Sequence, residues 1–163
     1  MVAAMAIEML GPYPFSFPDI FTILSIRHKP PLHTAVASMG PGRKFDFAIV
    51  VGRGTDEERD QLIAAMVDTL EPSRHEVESL SFQGNPFVAH HIDHEIAGDA
   101  CTAHHFAGFA FGDLVYCAVT YPRGTPDPES LHYLALQTAC GAIVRHGPTE
   151  TAAARPWWRF WRS

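Results

Sequence analysis

"FVAHHIDHEIAGDACTAHHFAGFAFGDLVYCAVTYP", residues 87–122, is the stretch that decides the fold. Three extended runs, FVAHHIDHEI, ACTAHHFAGFAF and LVYCAVTYP, are separated by Ala97-Gly98-Asp99 and by Gly112-Asp113. Short breaks rich in glycine and aspartate between alternating runs are hairpin signals, so the stretch predicts an antiparallel meander.

Just upstream, HEVESLSF alternates, with Val77, Ser79 and Ser81 on one face and Glu78, Leu80 and Phe82 on the other. That pattern predicts an edge or half-buried strand that turns at QGNP. KFDFAIVVGRG, residues 44–54, is a β-rich apolar run closed by glycines. Thr55 then opens a helix, with Glu58 three residues on as its capping-box partner. Leu62, Ile63, Met66, Val67 and Leu70 recur at helical spacing as a core face that ends before Pro72. Further upstream, Pro12, Pro14, Pro18, Pro30, Pro31 and Pro41 cut the chain into short extended pieces, with strands expected at about 20–26 and 33–38.

Downstream of the meander, TPDPES signals a helix start, with Asp127 as N-cap, Pro128 at the first helical position and Glu129 near the positive end of the dipole. Leu131, Leu134, Ala135, Cys140, Ile143 and Val144 form its apolar stripe, and Gly147 reads as the C′ glycine that stops it. The expected architecture is α+β, an antiparallel meander sheet with two helices packed on one side. Residues 1–147 form the single domain, and 148–163 form a linker and a Trp/Arg-rich tail.

Composition agrees with one domain. The chain has 163 residues, 47% of them hydrophobic, enough for one buried core. It carries 18 Asp and Glu against 12 Lys and Arg, a net charge of −6 with no basic field, so nucleic acid is not an expected partner. Cys101, Cys117 and Cys140 are odd in number and show no CxxC spacing, which suits reduced thiols. MVAAMAIEML lacks a basic n-region and meets GPYP after ten residues, so it reads as neither a signal peptide nor a span, and a cytoplasmic location is expected.

The order of elements resembles the DcrB-like and PsbP-like fold, which includes the effector-associated chaperones of bacterial type VI secretion. The resemblance covers about residues 15–146. It rests on that order, on FAIVVGRGTDEERDQL leading from strand into helix, on FQGNPFVAHH at the turn, and on YPRG…PES entering the last helix. It implies binding to another protein more than catalysis.

Within the meander, HHIDHEIAGDACTAHH, residues 90–105, gathers five histidines, two aspartates, a glutamate and a cysteine. A two-residue loop at Gly98 and Asp99 sets Glu95 against Thr102, His94 against Ala103, Asp93 against His104 and Ile92 against His105. One face then collects Val88, His90, Ile92, His94, Ile96, Cys101, Ala103 and His105, and reads as the core side. The other collects His91, Asp93, Glu95, Thr102, His104 and Phe106, and reads as the solvent side. Zinc or a similar divalent metal needs three or four converging donors. His91, Asp93 and His104, aided by Glu95, form the candidate set, with His90, His94 and His105 as the set on the opposite face. The plainer account is a cross-strand His–Asp pair. There is no HExxH and no paired CxxC.

No catalytic residue is assigned. VGRGT lacks the GxxxxGK[ST] and GxGxxG patterns, so Gly52 and Gly54 read as strand-ending glycines, and the cysteines lie in apolar segments where thiols are inert.

The tail sets Trp157, Trp158, Arg159, Phe160 and Trp161 beside Arg155 and Arg162. Exposing so many aromatics is costly, and three uses follow: docking on its own domain, entering a pocket of another protein, or peripheral contact with an anionic membrane. The sequence therefore points to a non-enzymatic protein-binding domain of the secretion-associated chaperone, adaptor or immunity type. The alternative is a metal-binding or metal-dependent hydrolytic protein using the 90–105 hairpin.

Overall fold

The computed structural model describes residues 5–68, 70 and 73–154. Two strands, β1 (Met5–Leu10) and β2 (Tyr13–Pro18), form a separate antiparallel ribbon. The main sheet is built from β3 (Thr22–Lys29), β4 (Leu32–Ser38), β5 (Lys44–Val50), β6 (Arg74–Phe82), β7 (Asn85–Ile96), β8 (Asp99–Ala110) and β9 (Asp113–Pro122). Its order is β3-β4-β5-β9-β8-β7-β6, antiparallel throughout. Helix α1 (Asp56–Asp68) connects β5 to β6, and α2 (Pro128–Ala154) follows β9.

The meander is present, and one turn chemistry builds it. Gln83-Gly84, Ala97-Gly98 and Phe111-Gly112 each place two consecutive residues at positive φ, at 51° and 80°, 53° and 87°, and 54° and 82°. Two left-handed residues make the turn whose twist matches the strands, and glycine takes the second of them without strain. The 97–98 turn thus lies one residue earlier than the expected Gly98-Asp99 loop, and every partner moves by two. Asp93 faces Thr102, His91 faces His104, and His90 faces His105. Because side chains alternate with a period of two, a shift of two leaves the division of faces unchanged.

The face expected to be core is buried, and the face expected to meet solvent is buried as well. Phe87, Ala89 and Phe106 share the face of His91 and His104, and they join Phe45, Phe47, Val115, Cys117 and Val119 in the main core. Leu131, Ala135, Ala139, Cys140 and Ile143 of α2 pack there, as do Tyr13, Phe15 and Phe17 of the ribbon. The aromatics decide it, since their apolar area outweighs two or three polar groups that can be hydrogen-bonded. On the other face, Ala48, Ile92, Ala107, Tyr116 and Ala118 meet Ile63 of α1, with Leu62 and Leu70 packed alongside. The two helices therefore lie on opposite faces of the sheet rather than together on one. The apolar runs Phe45–Val50 and Leu114–Tyr121 carry apolar residues at consecutive positions, so both of their faces can be buried.

The ribbon was not expected from the sequence. Its buried alternation of Tyr13, Phe15 and Phe17 lies between prolines, which a two-stranded ribbon tolerates because half of its amides need no ladder partner. Tyr13 ties the ribbon down: its hydroxyl lies 2.6 Å from Asp113 Oδ2 and 2.8 Å from the Ala110 carbonyl.

Helix α1 starts as expected, with the Glu58 amide donating to Thr55 Oγ1 at 3.2 Å and the Thr55 hydroxyl donating to Glu58 at 2.9 Å. Gly52, at φ 76°, donates its amide to Asp113 Oδ1 at 2.8 Å, so that donor is already engaged within the fold. Gly54 has a different reason to be glycine: a Cβ there would lie 2.6 Å from the backbone of Gly112. Gly54→Ala is expected to force these two turns apart at a loss of about 1–3 kcal/mol, read as a lower urea midpoint with an unchanged m-value. Gly147 does not end α2, which continues to Ala154 through the first part of the expected linker. The tip of the exposed Phe111 ring packs against Gly147. Trp157, Trp158, Arg159, Phe160 and Trp161 lie outside the described residues.

Candidate functional site

The two faces of the β7–β8 hairpin carry two different histidine arrangements. On the α2 side, His91 and His104 are directly opposite and their Nδ1 atoms touch. His91 Nε2 is 2.8 Å from Glu78 Oε2, His104 Nε2 is 2.7 Å from the Tyr121 hydroxyl, and that hydroxyl is 3.0 Å from Nε2 of His132, on α2.

Proton bookkeeping fixes the direction of this chain. A carboxylate can only accept, so His91 donates from Nε2 to Glu78, and with a single ring proton it accepts at Nδ1 from His104. His104 then accepts at Nε2 from Tyr121, whose oxygen accepts from His132. In this arrangement each of the four contacts has one donor and one acceptor. Burial, reinforced by the neighbouring His132 and His91, pushes His104 down to about 2, and burial with His91 also lowers His132. Burial, with the acidic Glu129 and Asp93 nearby, pushes the Tyr121 phenol up to about 12, so it stays protonated and able to donate.

The candidate metal set is only partly assembled. His91 and His104 come together, but the Asp93 carboxylate is turned away from them. It accepts from Thr102 Oγ1 at 2.8 Å and lies 3.4 Å from Arg74 and 3.9 Å from Arg123. Among the described residues, no group of three or more His, Cys, Asp and Glu side chains is placed to hold a metal ion. The donors of His91, Asp93 and His104 thus do not converge as zinc requires. His90, on the opposite face, is turned to His75, 2.8 Å away, rather than forming a trio with His94 and His105.

That opposite face is open where α1 stops covering it. A cavity of about 970 Å³ lies over β5, β9, β8 and the end of β7. Ala103, Tyr116, His94 and His105 line it, Leu24, Leu70 and Ile96 flank it, and Arg43, Lys44, Arg123, Asp46 and Asp99 contribute charge. His94 and His105 are 3% and 6% exposed, and Nε2 of each is enclosed with no hydrogen-bond partner among the described residues. Burial drives Tyr116 well above the ordinary phenol value, so its hydroxyl keeps its proton, and it shares a hydrogen bond with His105 Nδ1, 2.5 Å away. His105, pushed down to about 4 by burial and by His90 and His94, is neutral and carries a single ring proton. A buried polar atom left unmet costs about 1–3 kcal/mol. Burial also raises Asp46, against the pull of Lys44 3.9 Å away.

A concave, mostly apolar site with a few converging polar groups is the usual form of a binding site. Sequence reasoning placed His94 and His105 on one face but missed Tyr116 on the next strand, and Arg43, Lys44 and Asp46 from the start of β5, distant in the chain. It also missed His132 and Tyr121; the hydroxyls at alternate ends of LVYCAVTYP were the available signal for partners of the hairpin histidines.

No protein-family model matches the chain, and no curated protein matches it. Among solved structures, it is similar to the solution structure of a cyanobacterial PsbP protein from Synechocystis, at 11% identity over 86% of this chain and 92% of that one, with a TM-score of 0.52. A crystal structure of a Pseudomonas aeruginosa protein of unknown function is similar over 82% of this chain and 94% of that one, at 16% identity and a TM-score of 0.45. The fold is therefore PsbP-like. Among the described residues, no helix is long and apolar enough to cross a membrane.

Proposed function

We propose that this chain is a non-enzymatic binding domain that takes hold of another protein through the sheet face left open beside α1. The observation that carries this reading is the cavity of about 970 Å³ whose floor holds two buried imidazoles with unmet Nε2 atoms. Secretion-associated chaperones, adaptors and immunity proteins are the functional types this reading favours, in line with the resemblance of element order. The aromatic tail, Trp157 to Trp161 with its arginines, supplies a second contact to the partner, where Trp and Arg are typical anchors.

Native mass spectrometry of the untagged protein, purified without chelator, tests this and reads any bound metal in the same spectrum. A second polypeptide is expected with the full chain. Thr120→Trp, which puts an indole into the cavity from β9, is expected to remove it while circular dichroism and thermal midpoint stay within the native range. Deleting residues 155–163 is expected to weaken the complex and leave the fold intact. A complex that survives Thr120→Trp unchanged contradicts the assignment of the open face.

A further inference from the structure

We propose that His28 and His33, paired across the β3–β4 hairpin, chelate a divalent transition metal through their two Nδ1 atoms, with water completing its coordination. The two residues are direct cross-strand partners, joined through the turn at Pro30-Pro31. Their Nδ1 atoms lie 3.0 Å apart. Two nitrogens held by one zinc at about 2.0–2.1 Å stand roughly 2.9 Å apart at a right angle and roughly 3.4 Å apart at the tetrahedral angle, so the pair is already spaced to bite one ion. The rings are inclined at 57°, with centres 5.2 Å apart, so their in-plane lone pairs converge. Imidazole is a ligand suited to zinc, copper and nickel, and two protein ligands leave the remaining positions open.

The pair is reachable from solvent, and one of its rings is held in place. His28 is exposed on the edge strand β3, while His33 is half-buried beside the turn of the ribbon. Gly11 of that turn approaches His33 so closely that a Cβ would lie 3.1 Å from its Cδ2, and Val51 packs at the same point, 3.2 Å from that position. These contacts fix the ring by its Cδ2 edge and leave Nδ1 turned to His28. Among the described residues, neither Nδ1 has another hydrogen-bond partner. As a free pair the two rings share one proton between them, in a bond that water contests at this exposed position; moving that proton to Nε2 frees both lone pairs for an ion. Arg27 and Lys29 alternate to the opposite face of β3. The other two histidine pairs lack this form. His75 Nε2 and His90 Nδ1 are 2.8 Å apart, but those rings stack at 26°, so their lone pairs run side by side. His91 and His104 are tied into the donor–acceptor chain from Glu78 to His132.

The test titrates zinc chloride into the untagged full chain, labelled with ¹⁵N, and follows the imidazole nitrogens by long-range ¹⁵N–¹H correlation. Zinc is expected to shift Nδ1 of both His28 and His33 and to leave the ring proton of each on Nε2. His28→Gln and His33→Gln are each expected to weaken zinc binding by at least about tenfold with the amide spectrum otherwise unchanged, and His75→Gln is expected to leave it as it was. Because an ion held only by the folded hairpin stabilises the fold, the thermal midpoint is expected to rise with zinc in the unaltered chain and not in His28→Gln. Zinc that moves neither Nδ1, or that binds His28→Gln as tightly as the unaltered chain, overturns the site. A shift confined to one of the two rings means a single ligand, and the chelate falls. Binding lost in His75→Gln instead assigns the ion to the His75–His90 pair and likewise overturns the proposal.

Discussion

Lowering the pH from 7.5 to 4.5 is expected to remove several kcal/mol of folding stability, with a urea midpoint that falls steadily through the window. His104 and His105 are buried and held neutral, with folded values of about 2 and about 4, against an unfolded value near 6.5. Between those values the unfolded chain binds more protons than the folded one, so this contribution is complete above about pH 6.5 and is lost as pH falls. Each group contributes a slope of about 1.4 kcal/mol per pH unit, and His105 stops contributing once the pH reaches its folded value. Asp46, raised by burial, acts in the opposite sense at the acid end. His105→Gln removes one titrating group and is expected to flatten the slope by its share. A midpoint that does not change between pH 7.5 and 5 contradicts the burial of these two imidazoles.

The largest single-site loss is expected at Phe47. Its ring is buried among Phe15, Phe17, Phe21 and Phe45, at centroid separations of 5.8, 5.6, 6.2 and 6.5 Å, and so joins the ribbon and the β2–β3 connection to the main sheet. Phe47→Ala removes the transferred area and leaves a cavity under α2 and the ribbon, a cost of about 3–5 kcal/mol in comparable cores. Leu24→Ala, on the edge strand β3 at an exposed position, is expected to stay within about 0.5 kcal/mol. Equilibrium urea unfolding of the two variants side by side reads the contrast. Equal losses would mean that the aromatic cluster does not hold the ribbon to the sheet.

The sequence carried the local part of this structure and hid the part that depends on distant pairing. Thr55 and Glu58 announce the start of α1, Pro128 the start of α2, and the breaks at 97–99 and 112–113 the hairpins, because each is a short-range chemical signal. The one-residue displacement of the turn follows from the rule that glycine prefers the second left-handed position, and it rearranged the cross-strand partners of His91, Asp93 and His104 while keeping their faces. That the face of His91 and His104 is buried too could not be read from the hairpin alone, since the weight that covers it came from Phe45, Phe47, Tyr13 and α2, far away in the chain. The histidines then follow from burial: on the α2 side a continuous donor–acceptor chain satisfies them, and on the other side His94 and His105 are left with unmet atoms beneath an open cavity.

Site-specific photo-crosslinking in cells that make the protein tests the assignment of the open face most directly. A benzophenone amino acid at Thr120, on the cavity side of β9, is expected to capture a discrete polypeptide, and the same probe at Tyr133, exposed on α2 on the far side of the sheet, is expected to capture none. Capture at position 133 with nothing at 120 would place the partner on the helical side and contradict the account.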